Sequence, residues 1–318
     1  MKTFKITSAL AIATIAFAIT FTACKKDKDD PGDDLKVGND NAKFQADMDQ
    51  SLNDINEAFS KSSLSFKVAS PADVQAPWEP PCGSSADTSL LDTDKQITFT
   101  FDGTTSCNNR VRSGVIVAKL INGNRWQDQG AVLKITFNNF SVNHLSTSLL
   151  FTYNGTKTIT NVNGGLVRNL SSGSGSVVHK VRGNITLTFD NGTERNWWIA
   201  RRNTYDFNGG NPRFTSAGDT LVADSDSLLA VMPATTGGTN RFGNTFLYRA
   251  PIDIVSLANC GWDEPVQGQR IHFYNNRRVT VTFGVNQLGN SAGGDCAYGF
   301  KIEWLRYNGQ IGTAVIAY

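Results

Sequence analysis

Only three histidines occur in the 318 residues, His144, His179 and His272, and none has a carboxylate one turn away. An imidazole works as a general base or metal ligand when a second group orients it, so isolated histidines point to structural roles. The chain contains no HExxH pair, no Gly-x-Ser-x-Gly elbow, no phosphate-cradling glycine loop and no EF-hand loop. Asp224-Ser225-Asp226 comes nearest to a calcium loop but lacks the following glycine and glutamate, and reads as a turn. Glycoside hydrolysis needs two carboxylates with separated pKa values. Of the five glutamates, Glu57 falls in a helical stretch and Glu79 among prolines. Asp263-Glu264, beside Trp262, is the one acidic pair next to a tryptophan, and a polar loop after Cys260 is its expected role. No catalytic residue, metal site or cofactor is therefore expected.

Tryptophan carries the stronger binding signal. In Arg195-Asn196-Trp197-Trp198-Ile199, adjacent strand side chains point to opposite faces, so Trp197 and Trp198 enter one core layer together only if both sheet faces are covered. An exposed ring beside Asn, Asp or Arg can stack on a sugar face. Trp197, Trp198, Trp126 and Trp262, with Tyr298, are the candidates for that role; the competing role is filling a large β core. Arg195, Arg201, Arg202, Arg277 and Arg278 suggest a basic patch, although interspersed acids favour a solvated strand face. A net charge of +2 supplies too weak a field for nucleic acid, which is not an expected partner.

The first two dozen residues read as an address. Two lysines in Met1 to Lys5 precede an apolar stretch, Ile6 to Thr22, that ends at Ala23-Cys24. Phe21-Thr22-Ala23-Cys24 resembles the lipobox of bacterial lipoproteins, with Phe21 where leucine is usual. The resemblance implies cleavage after residue 23 and acylation of Cys24, hence a membrane partner through an N-terminal lipid anchor. Lys25-Lys26-Asp27-Lys28-Asp29-Asp30 then opens a charged tether over 24–38. It is similar to the surface-export signal of Bacteroidota lipoproteins, which implies the cell-surface side of the outer membrane, with a periplasm-facing position as the alternative.

With Cys24 assigned to lipid, Cys82, Cys107, Cys260 and Cys296 remain, an even number for an oxidising compartment. Three pairings are possible. Joining nearest partners, Cys82 with Cys107 and Cys260 with Cys296, closes loops that each hold a hairpin and is the expected arrangement. No pair has zinc-ligand spacing.

The elements that must position these residues divide the chain in two. Phe44, Met48, Leu52, Ile55 and Phe59 recur at helical spacing and predict an amphipathic helix over 39–62, capped by Asn39 or Asp40. Its apolar stripe is expected to lie on the following domain, with Asp47, Asp49, Asp54 and Glu57 on the remaining surface. Pro71, Pro77, Pro80 and Pro81 mark a bridge over 63–81. From 82 to 318 the period is two: Ile97, Phe99 and Phe101, or Leu133, Ile135 and Phe137, alternate with polar residues. Only 18% of residues are charged, against about 25% ordinarily. Asp102-Gly103, Asn154-Gly155 and Asn191-Gly192 read as tight hairpin turns between antiparallel strands. The fold class expected is all-β, a large antiparallel meander forming a sandwich, a curved clam-like sheet or an open barrel, behind one N-terminal helix.

Cys82, the strand Ile97 to Asp102, Gly103-Thr104, Cys107 and Arg110-Val-Arg112-Ser-Gly114 resemble a recurrent domain of Bacteroidota lipoproteins. So do Ile135-Thr-Phe-Asn-Asn-Phe-Ser-Val-Asn143, Gly155-Thr-Lys-Thr-Ile-Thr-Asn161 and Asn240-Arg-Phe-Gly243. The resemblance implies a lipidated β domain with the same two disulfides, and no activity. Asp219-Thr220-Leu221 and Asp226-Ser227-Leu228 resemble the O-glycosylation motif of exported Bacteroidota proteins, at a frequency that chance supplies. The function expected is a non-catalytic binding module with a glycan or protein ligand; a structural envelope lipoprotein is the alternative and a hydrolase ranks below both.

Overall fold

A computed structural model describes residues 31–62, 79–208, 210–220, 233–305 and 309–318. The expected signal peptide, Cys24, the tether up to Asp30, most of the proline bridge, Asp224-Ser225-Asp226 and Asp226-Ser227-Leu228 lie outside them. Helix α1, Pro31–Lys61, begins eight residues ahead of the expected start at 39. Proline is at home in a first helical turn, and Asp33 and Asp34 there complement the positive end of the helix dipole. Asn39 and Asp40 are thus interior positions and not caps. No helix of the described residues is long and apolar enough to cross a membrane.

The strands are β1 (Ser84–Asp87), β2 (Gln96–Cys107), β3 (Arg110–Asn122), β4 (Val132–His144), β5 (Leu149–Asn161), β6 (Val177–Thr188), β7 (Glu194–Asn208) and β8 (Asn211–Thr220). They continue with β9 (Pro233–Ala234), β10 (Thr236–Thr239), β11 (Thr245–Leu257), β12 (Gln267–Tyr274), β13 (Arg277–Val285), β14 (Gly299–Leu305) and β15 (Ile311–Ala317). A single helical turn, α2 (Leu91–Asp94), precedes β2. All belong to one antiparallel 15-stranded sheet in almost strict chain order. The exception is the space between β7 and β11, shared end to end: β10 pairs Trp197–Ile199, while β8 pairs Arg201–Asn208 and reaches Ile254–Leu257 of β11. β1 and β15 are its two ends, so the sheet is open and not a barrel.

The sheet wraps around α1. Phe44, Met48, Leu52, Ile55 and Phe59 are all at most 1% exposed and form one cluster with Phe99, Ile135, Phe137, Tyr153, Trp197, Tyr248 and Ile302, drawn from β2 through β14. Gly38 lets the helix backbone come close: a Cβ there would stand 2.9 Å from Ile302 Cγ2.

Curvature comes from residues that the sequence presents as turns. Asn154-Gly155 lies inside β5, joining two expected strands into one, and Asp102-Gly103 lies inside β2; only Asp190 to Thr193 is a turn between strands. Gly155 adopts φ 125°, and a Cβ there would meet Asn184 O of β6 at 2.4 Å. Gly114 in β3, φ 86°, lies against the β4 bulge at Asn139, whose O would be 2.1 Å from an added Cβ. Asn139 N–H in turn donates to Asn154 Oδ1, 2.8 Å. A row of close approaches thus crosses β3 to β6 and bends the sheet toward the helix. Two hairpins turn on two residues at positive φ, as type I′ turns require: Asn108-Asn109 between β2 and β3 and Asn275-Asn276 between β12 and β13.

Candidate functional site

The acidic face of α1 does not face water. Among its described side chains only those of Lys36, Glu57 and Lys61 are exposed, and each buried carboxylate meets a group from the sheet. Asp34 accepts from Tyr274 and pairs with Arg277. Asp40 takes Arg241 through two bonds of 2.6 Å. Asp47 Oδ2 meets His144 Nε2 at 3.0 Å and the Tyr153 hydroxyl at 2.6 Å. Asp49 pairs with Arg201 at 2.7 Å and Asp54 with Arg112 at 2.6 Å. The partners sit 58 to 243 residues away in sequence.

Burial and charge pull against each other at these sites. Burial pushes Asp40 up to about 6 against the pull of Arg241. It also raises Asp54, opposed by Arg112. Burial acts on Asp47 in the same sense but is outweighed by His144, Arg110 and Tyr153, which hold it below the usual carboxylate range. Lys157, fully buried over the Phe137 ring, donates to Met48 O and Ser51 Oγ at 2.9 Å; burial, then Arg201, brings it down to about 7.

Beside the middle of α1 this network opens into a cleft of about 310 Å³ next to the Cys82–Cys107 disulfide. Asp47, Gln50 and Asp54 of the helix form one wall. Arg110 and Arg112, alternate residues of β3 and so on one face, form another, with Asp263 from the loop after Cys260. Arg110 binds Asp263 at 2.6 Å, and Arg112 also donates to Cys82 O at 2.9 Å. Phe140 and Val142 line the cleft beside them, while the exposed Ser106 and Asn108 stand at its rim. Asp47 Oδ1 is buried with no hydrogen-bond partner among the described residues.

The residues singled out from sequence are dispersed. Cys82–Cys107 and Cys260–Cys296 are bonded as expected. Trp126 and Trp197 are 1% and 2% exposed; Trp197 packs on Phe44 at 4.7 Å and donates to Thr239 O, so neither ring offers a face to an outside ligand. Trp198 is half-buried on the opposite face, against Ala200 and Leu247. Trp262 is half-buried, edge-on to Tyr205 and Phe214. Tyr298 is exposed, apart from the cleft. Arg201 is wholly buried and inward-facing, correcting the solvated-face reading, whereas Arg202 is exposed. His144, isolated in sequence, gains its carboxylate from the helix; His179 and His272 are buried among aromatic rings. Asp263 is tied to Arg110, and Glu264 is raised by burial and by Asp263.

Sequence reasoning missed Asp47, Asp54, Arg110 and Arg112 as a group. The period-two placement of the two arginines was visible, but nothing local indicates that the helix supplies their acids. No family model, curated protein or solved structure matches the chain.

Proposed function

We propose that the protein is a lipid-anchored outer-membrane lipoprotein, displayed at the cell surface, that acts as a non-catalytic binding module with its ligand seat in the cleft beside Cys82–Cys107. Export and anchoring rest on the apolar leader and Cys24 of the sequence. Binding rests on one observation: Asp47 borders a cleft of ligand size and keeps a buried oxygen without a partner, a cost of roughly 1–3 kcal/mol that a donor in the cleft relieves.

A neutral, hydroxyl-rich ligand such as the terminal sugars of a glycan suits these walls. Asp47 accepts a hydroxyl, Arg110 and Arg112 donate to sugar oxygens, and Phe140 with Val142 backs the C–H face of a ring. The paired charges largely cancel, so little field remains to select an ionic ligand. A hydrolase needs a carboxylate free to exchange protons, and the engagement of Asp47, Asp54 and Asp263 by His144, Arg112 and Arg110 weighs against it. The test is calorimetry of the full chain against polysaccharides and host glycoproteins. Saturable binding to one of them, lost at least tenfold in Ser106→Trp with an unchanged melting temperature, supports this seat. No binding across the panel, or wild-type affinity in Ser106→Trp, removes it.

A structural or assembly role has its own observation. β15 is an open edge strand, with Ile311 exposed on it and Leu305 exposed at the end of neighbouring β14. Concentration-dependent self-association abolished by Ile311→Lys would favour that role.

A further inference from the structure

A second, smaller space lies on the other side of Arg110, between α1 and strands β11 to β14. It measures about 20 Å³, enough for a single particle near the size of a water, which needs roughly 10–15 Å³. Lys43 and Asp49 of α1, Arg110, Arg270 and Asp263 border it, and half-buried Trp262, Pro265 and Tyr318 lie around it. The loop bearing Trp262 is fixed by the Cys260–Cys296 disulfide.

The charges around this cavity do not balance. Asp49 is taken by Arg201 at 2.7 Å and Asp263 by Arg110 at 2.6 Å. Among the described residues Arg270, 1% exposed, makes no ion pair: its Nε and Nη1 are buried without partners, the Phe283 ring stands 5.7 Å away, and Asp49, already taken by Arg201, acts on it only from beyond direct contact. Lys43, 3% exposed, likewise makes no direct ion pair among the described residues, with Asp47, Asp263 and Glu264 acting on it from farther off, and stands 5.9 Å from the Phe300 ring. Arg201 behind the cavity leaves Nε and Nη2 without partners. Glu264, the next carboxylate outward, is only half-buried. A buried guanidinium without a direct ion-pair partner is unfavourable unless an anion joins it. Burial and Arg201 together pull Arg270 down to about 9, in keeping with that imbalance.

We propose that this cavity is a binding site for one small monovalent inorganic anion of chloride size, held by the Arg270 guanidinium with Lys43 as the second cation. The ion locks α1 to β12 and is independent of any ligand in the outer cleft. Two opposing carboxylates already paired with arginines, and the small volume, exclude phosphate or sulfate.

The test is the melting temperature of the full chain at constant ionic strength as sodium gluconate is replaced by sodium chloride or bromide. Wild type gains about 2–4 °C, saturably, in either halide. Arg270→Met shows no halide response, and Lys43→Met needs about tenfold more halide. Should Arg270→Met fail to fold, Ala42→Val, which fills the cavity from its wall, also loses the response. Crystals grown in bromide show an anomalous peak beside Arg270 Nε. Equal melting in gluconate and halide, a halide response kept in Ala42→Val, or a cavity without an anomalous peak overturns the proposal.

Discussion

The two faces of α1 are held in different ways. Its apolar stripe, from Phe44 to Phe59, packs into one cluster that spans the sheet, and it follows the helical period. Its acidic face is equally buried but is matched point by point, Asp34, Asp40, Asp47, Asp49 and Asp54 each to a separate cation or hydroxyl. The stripe tolerates any apolar surface of the right shape. The acidic face accepts one rotation and one translation of the helix, because a shift by one residue strands several charges at once. The stripe therefore supplies most of the stability, and the carboxylates supply register.

That division can be broken at either face. Phe44→Ala removes a ring packed on Trp197 and Tyr153 and is expected to cost about 3–5 kcal/mol in denaturant unfolding. Arg241→Met leaves Asp40 buried and uncompensated and is expected to cost a comparable amount, at the lower end, about 3 kcal/mol. Asp40→Leu combined with Arg241→Met recovers most of that loss while leaving the helix less firmly registered, seen as a lower melting cooperativity. If the double variant is as unstable as the single one, the carboxylates contribute stability and not only register.

Lys157 of β5, buried against the middle of the helix, sharpens the comparison further. Because the folded-state value for Lys157 is about 7, below its value of about 10.5 in an unfolded chain, the unfolded state binds the extra proton between those limits. Stability from this group is therefore present above pH 10 and is lost as pH falls toward 7. Wild type is expected to gain stability from pH 7 to 10 relative to Lys157→Met, and parallel curves for the two would remove Lys157 as the cause. The smallest effect is expected outside the helix: Trp198→Ala, half-buried on the opposite sheet face, should cost no more than about 1–2 kcal/mol in denaturant unfolding.

The stripe on α1, the strands and both disulfides were legible because each depends on local spacing or on nearest cysteines. The fate of the acidic face was not, because Asp47 meets His144 across 97 residues and Asp40 meets Arg241 across 201. An acidic surface with no visible partner reads as solvated. Asn154-Gly155 misled for a different reason: a glycine at positive φ serves a hairpin and a strand kink equally well, and only the approach of Asn184 O separates them. The motifs behind the resemblance include Arg112, Gly114, Asn139, Gly155, Lys157 and Arg241, residues that bend the sheet or dock the helix. Of the cleft, the sequence displayed the arginines but not the helix wall opposite them.

Amide hydrogen exchange of the intact protein, resolved by segment, tests most directly whether α1 is an integral core element clamped on both faces. Residues 44–59 should exchange only through global unfolding, with the same opening free energy as β4 to β7. Exchange of α1 orders of magnitude faster, while those strands stay protected, would make the helix a detachable cover and contradict the account.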